Sequence, residues 1–231
     1  MKTLLATALV LLCSLSVPGG VLADDTPAAK TGVVLIFDDS GSMAERVGHQ
    51  TRMDLAKQVT EKSFVAKLNL ELSMGLIFLN HADRNLPLAP GSAWVVEPRG
   101  EQAGSCQKNE IMERVAGCSA HGGTPLTEAV RTARGYFQGK ELTRKIIVVI
   151  TDGEAANPAS FSAELDASLK EQFELYAIGF CFETEAGGKA LRDKLNTEGR
   201  TRFFDATGTA DSLAQAFQSI LTAGNLEAQK D

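Results

Sequence analysis

Two five-residue runs, Val33-Val34-Leu35-Ile36-Phe37 and Ile146-Ile147-Val148-Val149-Ile150, are apolar without interruption. A strand with one face in water alternates apolar and polar residues, whereas a strand covered on both faces does not, so these runs predict interior strands of a mostly parallel sheet. Met74 to Leu79 and Leu175 to Phe180 are weaker versions of the same pattern. Between and after them the apolar spacing turns helical. Leu126, Ala129, Val130, Ala133 and Phe137 share one helix face, with Thr124-Pro125 as its opening signal. Asn157-Pro158 opens a second helix, with Phe161, Leu165 and Leu169 inward. Two later helices carry Ala190, Leu191 and Leu195, ending at Gly199, and Leu213, Ala216, Phe217 and Ile220.

With a helix free of Gly and Pro at about 52–68, the order is strand, helix, strand, strand, helix, helix, strand, helix, strand, helix, strand, helix. That alternation predicts a three-layer α/β/α sandwich, Rossmann-like, with a mostly parallel central sheet and one antiparallel edge strand. Trp94, in Ala93-Trp94-Val95-Val96, fits an edge-strand packing position. Composition agrees with a globular domain: 44% apolar and 23% charged residues are inconsistent with a disordered chain. The net charge of -6 and the absence of a Lys/Arg run argue against nucleic acid or an anionic membrane as partner.

Residues 1–23 read as a signal peptide. Lys2 gives the positive start, Leu4 to Val17 the apolar stretch and Val21-Leu22-Ala23 the small-residue cleavage site. The expected product is exported, periplasmic or secreted, with a flexible N-terminus at 24–30, one domain at 31–224 and a C-terminal tail at 225–231. No later run approaches the ~20 apolar residues of a transmembrane helix.

The candidate chemistry sits at the carboxyl ends of the two strongest strands, in Asp38-Asp39-Ser40-Gly41-Ser42 and Thr151-Asp152-Gly153-Glu154. In an open parallel sheet, ligands bind outside the carboxyl ends at the point where strand order reverses. Two carboxylates aimed into one crevice need a proton, a cationic side chain or a metal ion, and neither loop contains Lys or Arg. The hydroxyls of Ser40 and Ser42, with Thr124 as a third, complete an oxygen donor set suited to a hard ion, Mg²⁺ more than Zn²⁺. His49, His81 and His121 are scattered and no C-x-x-C occurs, so the spacing offers no zinc site.

At these residues the sequence resembles the von Willebrand factor type A (vWA) family. The family's metal-ion-dependent adhesion site is D-x-S-x-S after the first strand, a Thr in a loop before a helix and an Asp after the fourth strand. Asp38, Ser40, Ser42, Thr124 in Gly122-Gly123-Thr124-Pro125-Leu126, and Asp152 match it. The resemblance implies that Ser40, Ser42 and Thr124 touch the ion directly and that Asp38 and Asp152 hold it wholly or partly through water. It further implies Mg²⁺, with Mn²⁺ or Ca²⁺ as substitutes, and a protein partner whose Asp or Glu carboxylate completes the coordination. Asp39, Gly41, His121, Gly123 and Glu154 would form the rim that meets this partner.

The expected function is therefore a non-enzymatic binding module. The competing readings are a metal-assisted phosphohydrolase, which lacks a base and the D-x-D of haloacid dehalogenase-type enzymes, and a scaffold whose metal site is idle. Of the cysteines left after the signal, Cys106 and Cys118 would lie ~18 Å apart if 108–116 is helical, too far for a disulfide. Cys118 and Cys181 are then the expected pair, with Cys106 alone; a 106–118 link across a broken helix is the alternative.

Overall fold

The structure, a computed structural model, describes residues 30–93, 106–153, 155–181, 192–196 and 201–228. The expected signal peptide at 1–23, the lead-in up to residue 29, Trp94, Glu154 and Gly199 lie outside them. The strands are β1 (Thr31–Phe37), β2 (Arg46–Val47), β3 (Gln50–Thr51), β4 (Ser73–Phe78), β5 (Leu86–Pro90), β6 (Arg144–Thr151), β7 (Glu174–Phe180) and β8 (Thr201–Ala206). The helices are α1 (Arg52–Val59), α2 (Gln107–Gly117), α3 (Leu126–Tyr136), α4 (Pro158–Lys170) and α5 (Ala210–Gly224). Residues 192–195 form a further helical stretch where the sequence predicts one.

Six strands form one sheet in the order β5-β4-β1-β6-β7-β8, while β2 and β3 pair separately. Every neighbour in the large sheet is parallel except the edge strand β5, antiparallel to β4. The predicted alternation and its antiparallel edge are thus present, the edge being Leu86–Pro90. Strand order reverses between β1 and β6, where Phe37 lies opposite Ile150. Asp38 follows Phe37 directly and Asp152 follows Ile150 by two residues, so both candidate carboxylates lie just past this point.

The uninterrupted apolar runs serve two cores. Val33, Leu35 and Phe37 pack with Met53, Ile111 and Phe217 beneath α1, α2 and α5, whereas Val34 and Ile36 pack with Val130, Phe161 and Leu165 beneath α3 and α4. Successive side chains point to opposite faces, so a strand with helices on both sides must be apolar at every position.

One expectation is corrected. The helix at 52–68 does not run through as α: after Val59 it widens into a π turn over Thr60–Phe64 and tightens into a 3-10 turn over Val65–Lys67. The extra winding seats Phe64 on Phe217, rings stacked at 4.8 Å. That packing comes from α5, about 150 positions away in sequence, where local pattern holds no information about it. The C-terminal segment, in turn, is tied down at 225–228. Asn225 caps α5 in the left-handed conformation, Leu226 is fully buried, and the Ala228 N–H donates to the Lys67 carbonyl.

Candidate metal and binding site

The chain leaves β1 through Asp38, whose N–H still bonds the Ile150 carbonyl at 3.1 Å, so the loop starts from a fixed position on β6. Asp38 is fully buried. Its Oδ1 accepts the Ser40 N–H at 2.8 Å and its Oδ2 the Thr151 hydroxyl at 2.5 Å. Burial pushes the Asp38 carboxyl up to about 6, the donors from Ser40 and Thr151 pull against that, and the charge of Asp152 adds a smaller upward push. Desolvation, rather than the second carboxylate, dominates.

A 3-10 turn over Gly41–Ala44 folds the loop back. The Ser40 and Ser42 hydroxyls come within 3.0 Å, and Ser42 Oγ donates to Asp152 Oδ1 at 2.7 Å. Thr124 arrives from the opposite side: its Oγ1 is 3.5 Å from where a Cβ on Gly153 would stand. Its carbonyl accepts the Ala156 N–H at 3.0 Å, joining the Thr124 loop to the segment after β6. Asp38, Ser40, Ser42 and Asp152 are thus directly linked, with Thr124 beside them. Thr124 is not the cap of its helix. Pro125 occupies the N-cap of α3 and no side chain bonds there, so the hydroxyl is not committed to the helix start.

The sequence reading finds no cation near the two carboxylates, but the fold supplies one from α1. Arg52 is the first residue of that helix, placed by a capping box in which Thr51 Oγ1 accepts the Asp54 N–H and Asp54 reaches back to the Thr51 N–H. The preceding β2–β3 hairpin turns at Gly48, φ +64, and sets α1 under the carboxyl end of β6. Arg52 is 5% exposed; Nη1 bonds Asp152 Oδ2 at 3.1 Å and Nη2 meets Glu45 Oε2 at 2.7 Å. Thr151 is the other participant the pattern does not name, although it is adjacent to Asp152.

The rim residues divide. Gly41, Gly123 and His121 are exposed as expected. Asp39 is not on the rim: it is fully buried, with Oδ1 accepting the Asn80 N–H at 2.8 Å and Oδ2 contacting His81 Nδ1. Odd and even residues leave a strand end in opposite directions, which sends Asp39 away from Asp38. Glu154 lies outside the described residues.

The Cys118–Cys181 link is not formed, and no disulfide joins any two of Cys106, Cys118 and Cys181. Cys106 and Cys118 do flank the two ends of α2 as expected. Cys118 is buried with its Sγ 3.6 Å from Met53 Sδ, while Cys181, in the left-handed conformation after β7, has its N–H on Ala206 and its Sγ facing Gly208. The two sulfurs are turned to different neighbours. Burial pushes the Cys118 thiol up to about 11.

A three-layer sandwich with polar side chains gathered at its β1/β6 switch point is the architecture of a vWA domain. Residues 33–154 match the family model for the von Willebrand factor type A domain, and the chain belongs to that family. Over 226 residues it is 27% identical to the uncharacterised protein YwmD of Bacillus subtilis (strain 168), covering 94% of this chain and 96% of that one. The pilus adhesin SpaC of Lactobacillus rhamnosus GG superimposes with a TM-score of 0.66 at 14% identity; the match covers 87% of this chain and 30% of SpaC. The manganese-loaded TRAP protein of Plasmodium vivax gives a TM-score of 0.55 at 13% identity, over 87% of this chain and 75% of TRAP. At such identities the structural likenesses carry the fold. No helix among the described residues is long and apolar enough to cross a membrane.

Proposed function

We propose that this chain is an exported, non-enzymatic binding module, periplasmic or secreted. In this reading it holds a divalent cation of the Mg²⁺ type, with Mn²⁺ or Ca²⁺ as substitutes, on Asp38, Ser40, Ser42, Thr124 and Asp152. The ion captures an Asp or Glu side chain of a partner protein. The observation that carries the reading is the bond from Ser42 Oγ to Asp152 Oδ1, 2.7 Å long between residues 110 apart in sequence. It draws the oxygen donors of two loops to one point at the switch of the sheet. The donor set fits: carboxylates and hydroxyls, with no sulfur or imidazole, suit a hard cation.

Charge explains why a carboxylate would be the preferred guest. Arg52 already faces Asp152, so a dication in the crevice meets Asp38 as the carboxylate not shared with a cation. Neutral hydroxyls do not cancel the remaining positive charge; an incoming carboxylate does, and charge-assisted contacts are the stronger kind. The adhesin relation of SpaC and the manganese of TRAP support the same reading. Calorimetric titration of the EDTA-stripped chain with Mg²⁺ tests it: one site is expected in wild type and none in Asp38→Ala or Ser42→Ala. Equal Mg²⁺ binding by the variants would reject the assignment.

A further inference from the structure

Behind the oxygen-lined crevice, on the β4 side of the same sheet edge, three loops bring together residues 39, 81 and 121. A carboxylate oxygen of Asp39 and one ring nitrogen from each of His81 and His121 all lie within 4.8 Å of one another. The two imidazole rings meet edge to face with centroids 4.0 Å apart. We propose that Asp39, His81 and His121 form a second metal site, chemically distinct from the first, for a borderline divalent ion with Zn²⁺ as the preferred occupant.

The donor chemistry separates the two sites. Two imidazoles and one carboxylate select Zn²⁺ and its neighbours over Mg²⁺, which takes oxygen donors and gives up its water reluctantly. Three protein donors also leave a fourth tetrahedral position open.

Each ligand is held by a second layer of contacts, as metal ligands are. The His121 Nδ1 faces the Ser119 carbonyl at 3.4 Å, and with Nδ1 donating there Nε2 is the nitrogen that would bind the ion. The His121 N–H donates to the Asp39 carbonyl at 2.8 Å, pinning two of the ligands to each other through the backbone. Asp39 Oδ1 is engaged by the Asn80 N–H and, at 3.3 Å, by Asn80 Nδ2, which leaves Oδ2 directed at His81. His81 is steadied from behind by the Phe78 ring, 6.3 Å away and edge to face. Asp39 is buried with Asn80 and His81 already against its carboxylate, so it stays in place at the point where all three groups would bind an ion.

Nothing in the spacing 39, 81, 121 resembles a zinc motif, because the ligands come from the ends of two neighbouring parallel strands and from the loop before α3. Only the strand order places them together.

The test uses the full mature chain without a histidine tag, stripped with EDTA and returned to excess Mg²⁺ so that the oxygen site is saturated. Co²⁺ is then titrated as a spectroscopic stand-in for Zn²⁺. The expected result is a visible absorption band of low-symmetry Co²⁺ saturating at one equivalent and abolished by Zn²⁺. His121 is exposed, so His121→Ala should unfold in EDTA at the wild-type temperature. It should weaken Co²⁺ by roughly 100-fold or more, since even second-layer losses cost about 10–100-fold. His81→Ala should act likewise, whereas Asp152→Ala should keep the band. Unchanged Co²⁺ affinity in His121→Ala, or displacement of Co²⁺ by Mg²⁺, would overturn the second site. Because Mg²⁺ binding is read separately, either site can fail without the other.

Discussion

Arg52 Nη1 and Asp152 Oδ2 are 3.1 Å apart, both residues buried, and this ion pair ties the first turn of α1 to the end of β6. It gives Asp152 a structural duty beside the proposed metal one. Removing one member of a buried pair costs about 3–5 kcal/mol because the other charge is stranded, and Glu45, on the far side of Arg52, should keep the cost at the lower end. Asp152→Ala should therefore lose about 3 kcal/mol in urea unfolding measured in EDTA, besides losing Mg²⁺ affinity. Ser42→Ala, which leaves the pair intact, should lose Mg²⁺ affinity alone.

Thr124 separates binding from folding most cleanly. Since it does not cap α3, Thr124→Ala should change stability by no more than about 0.5 kcal/mol in EDTA while weakening Mg²⁺ in calorimetry. A loss of 1 kcal/mol or so, the usual cost of a missing cap, would show that the hydroxyl supports the helix after all.

Gly122 holds the Thr124 loop against both neighbours. Its φ is +76, its carbonyl accepts the Gly41 N–H at 3.0 Å, and a Cβ there would stand 2.2 Å from Asn80 Oδ1. Gly122→Ala should cost at least about 1–2 kcal/mol in urea unfolding from the left-handed backbone alone, with the Asn80 clash added.

Cys118 should be inert. With its thiol buried and pushed up to about 11, it should resist alkylation in the native protein at pH 8 and react only after unfolding; peptide mapping of the labelled protein reads this directly. The folded state holds this proton more tightly than the unfolded chain, whose thiol titrates near 9. The contribution to stability is therefore complete below pH 9 and lost as pH rises from there toward 11. Wild type should lose stability across that window more steeply than Cys118→Ala.

The sheet and the helix order were legible because both rest on periodicity: the apolar runs of β1 and β6 report coverage on two faces, and the offsets of α3 and α5 report one. That Asp38, Ser40, Ser42, Thr124 and Asp152 come together at one end of the sheet was legible because strand ends and a proline-marked loop carry them. What escaped was whatever reaches the site sideways. Arg52 lies in another element, and its direction depends on a hairpin and a capping box whose combined geometry no local pattern encodes. Asp39 looked like a rim acid because neighbouring letters in a loop do not reveal that the chain sends them to opposite sides. His81 and His121 looked scattered for the same reason that β1 and β4 look distant: parallel neighbours are far apart in sequence. Thr-Pro reads as a cap and first helical residue because it is a frequent helix opening, yet here the helix starts one residue later.

In the proposed mode of capture a bound ion, not the protein surface alone, does the recognising. Its most direct test is capture from culture supernatant or periplasmic extract by the immobilised chain, in Mg²⁺ and in EDTA, alongside Ser42→Ala and Thr124→Ala. Partners should be retained by wild type in Mg²⁺, released by EDTA and absent from both variants. Capture that persists in EDTA, or that the variants match, would contradict it.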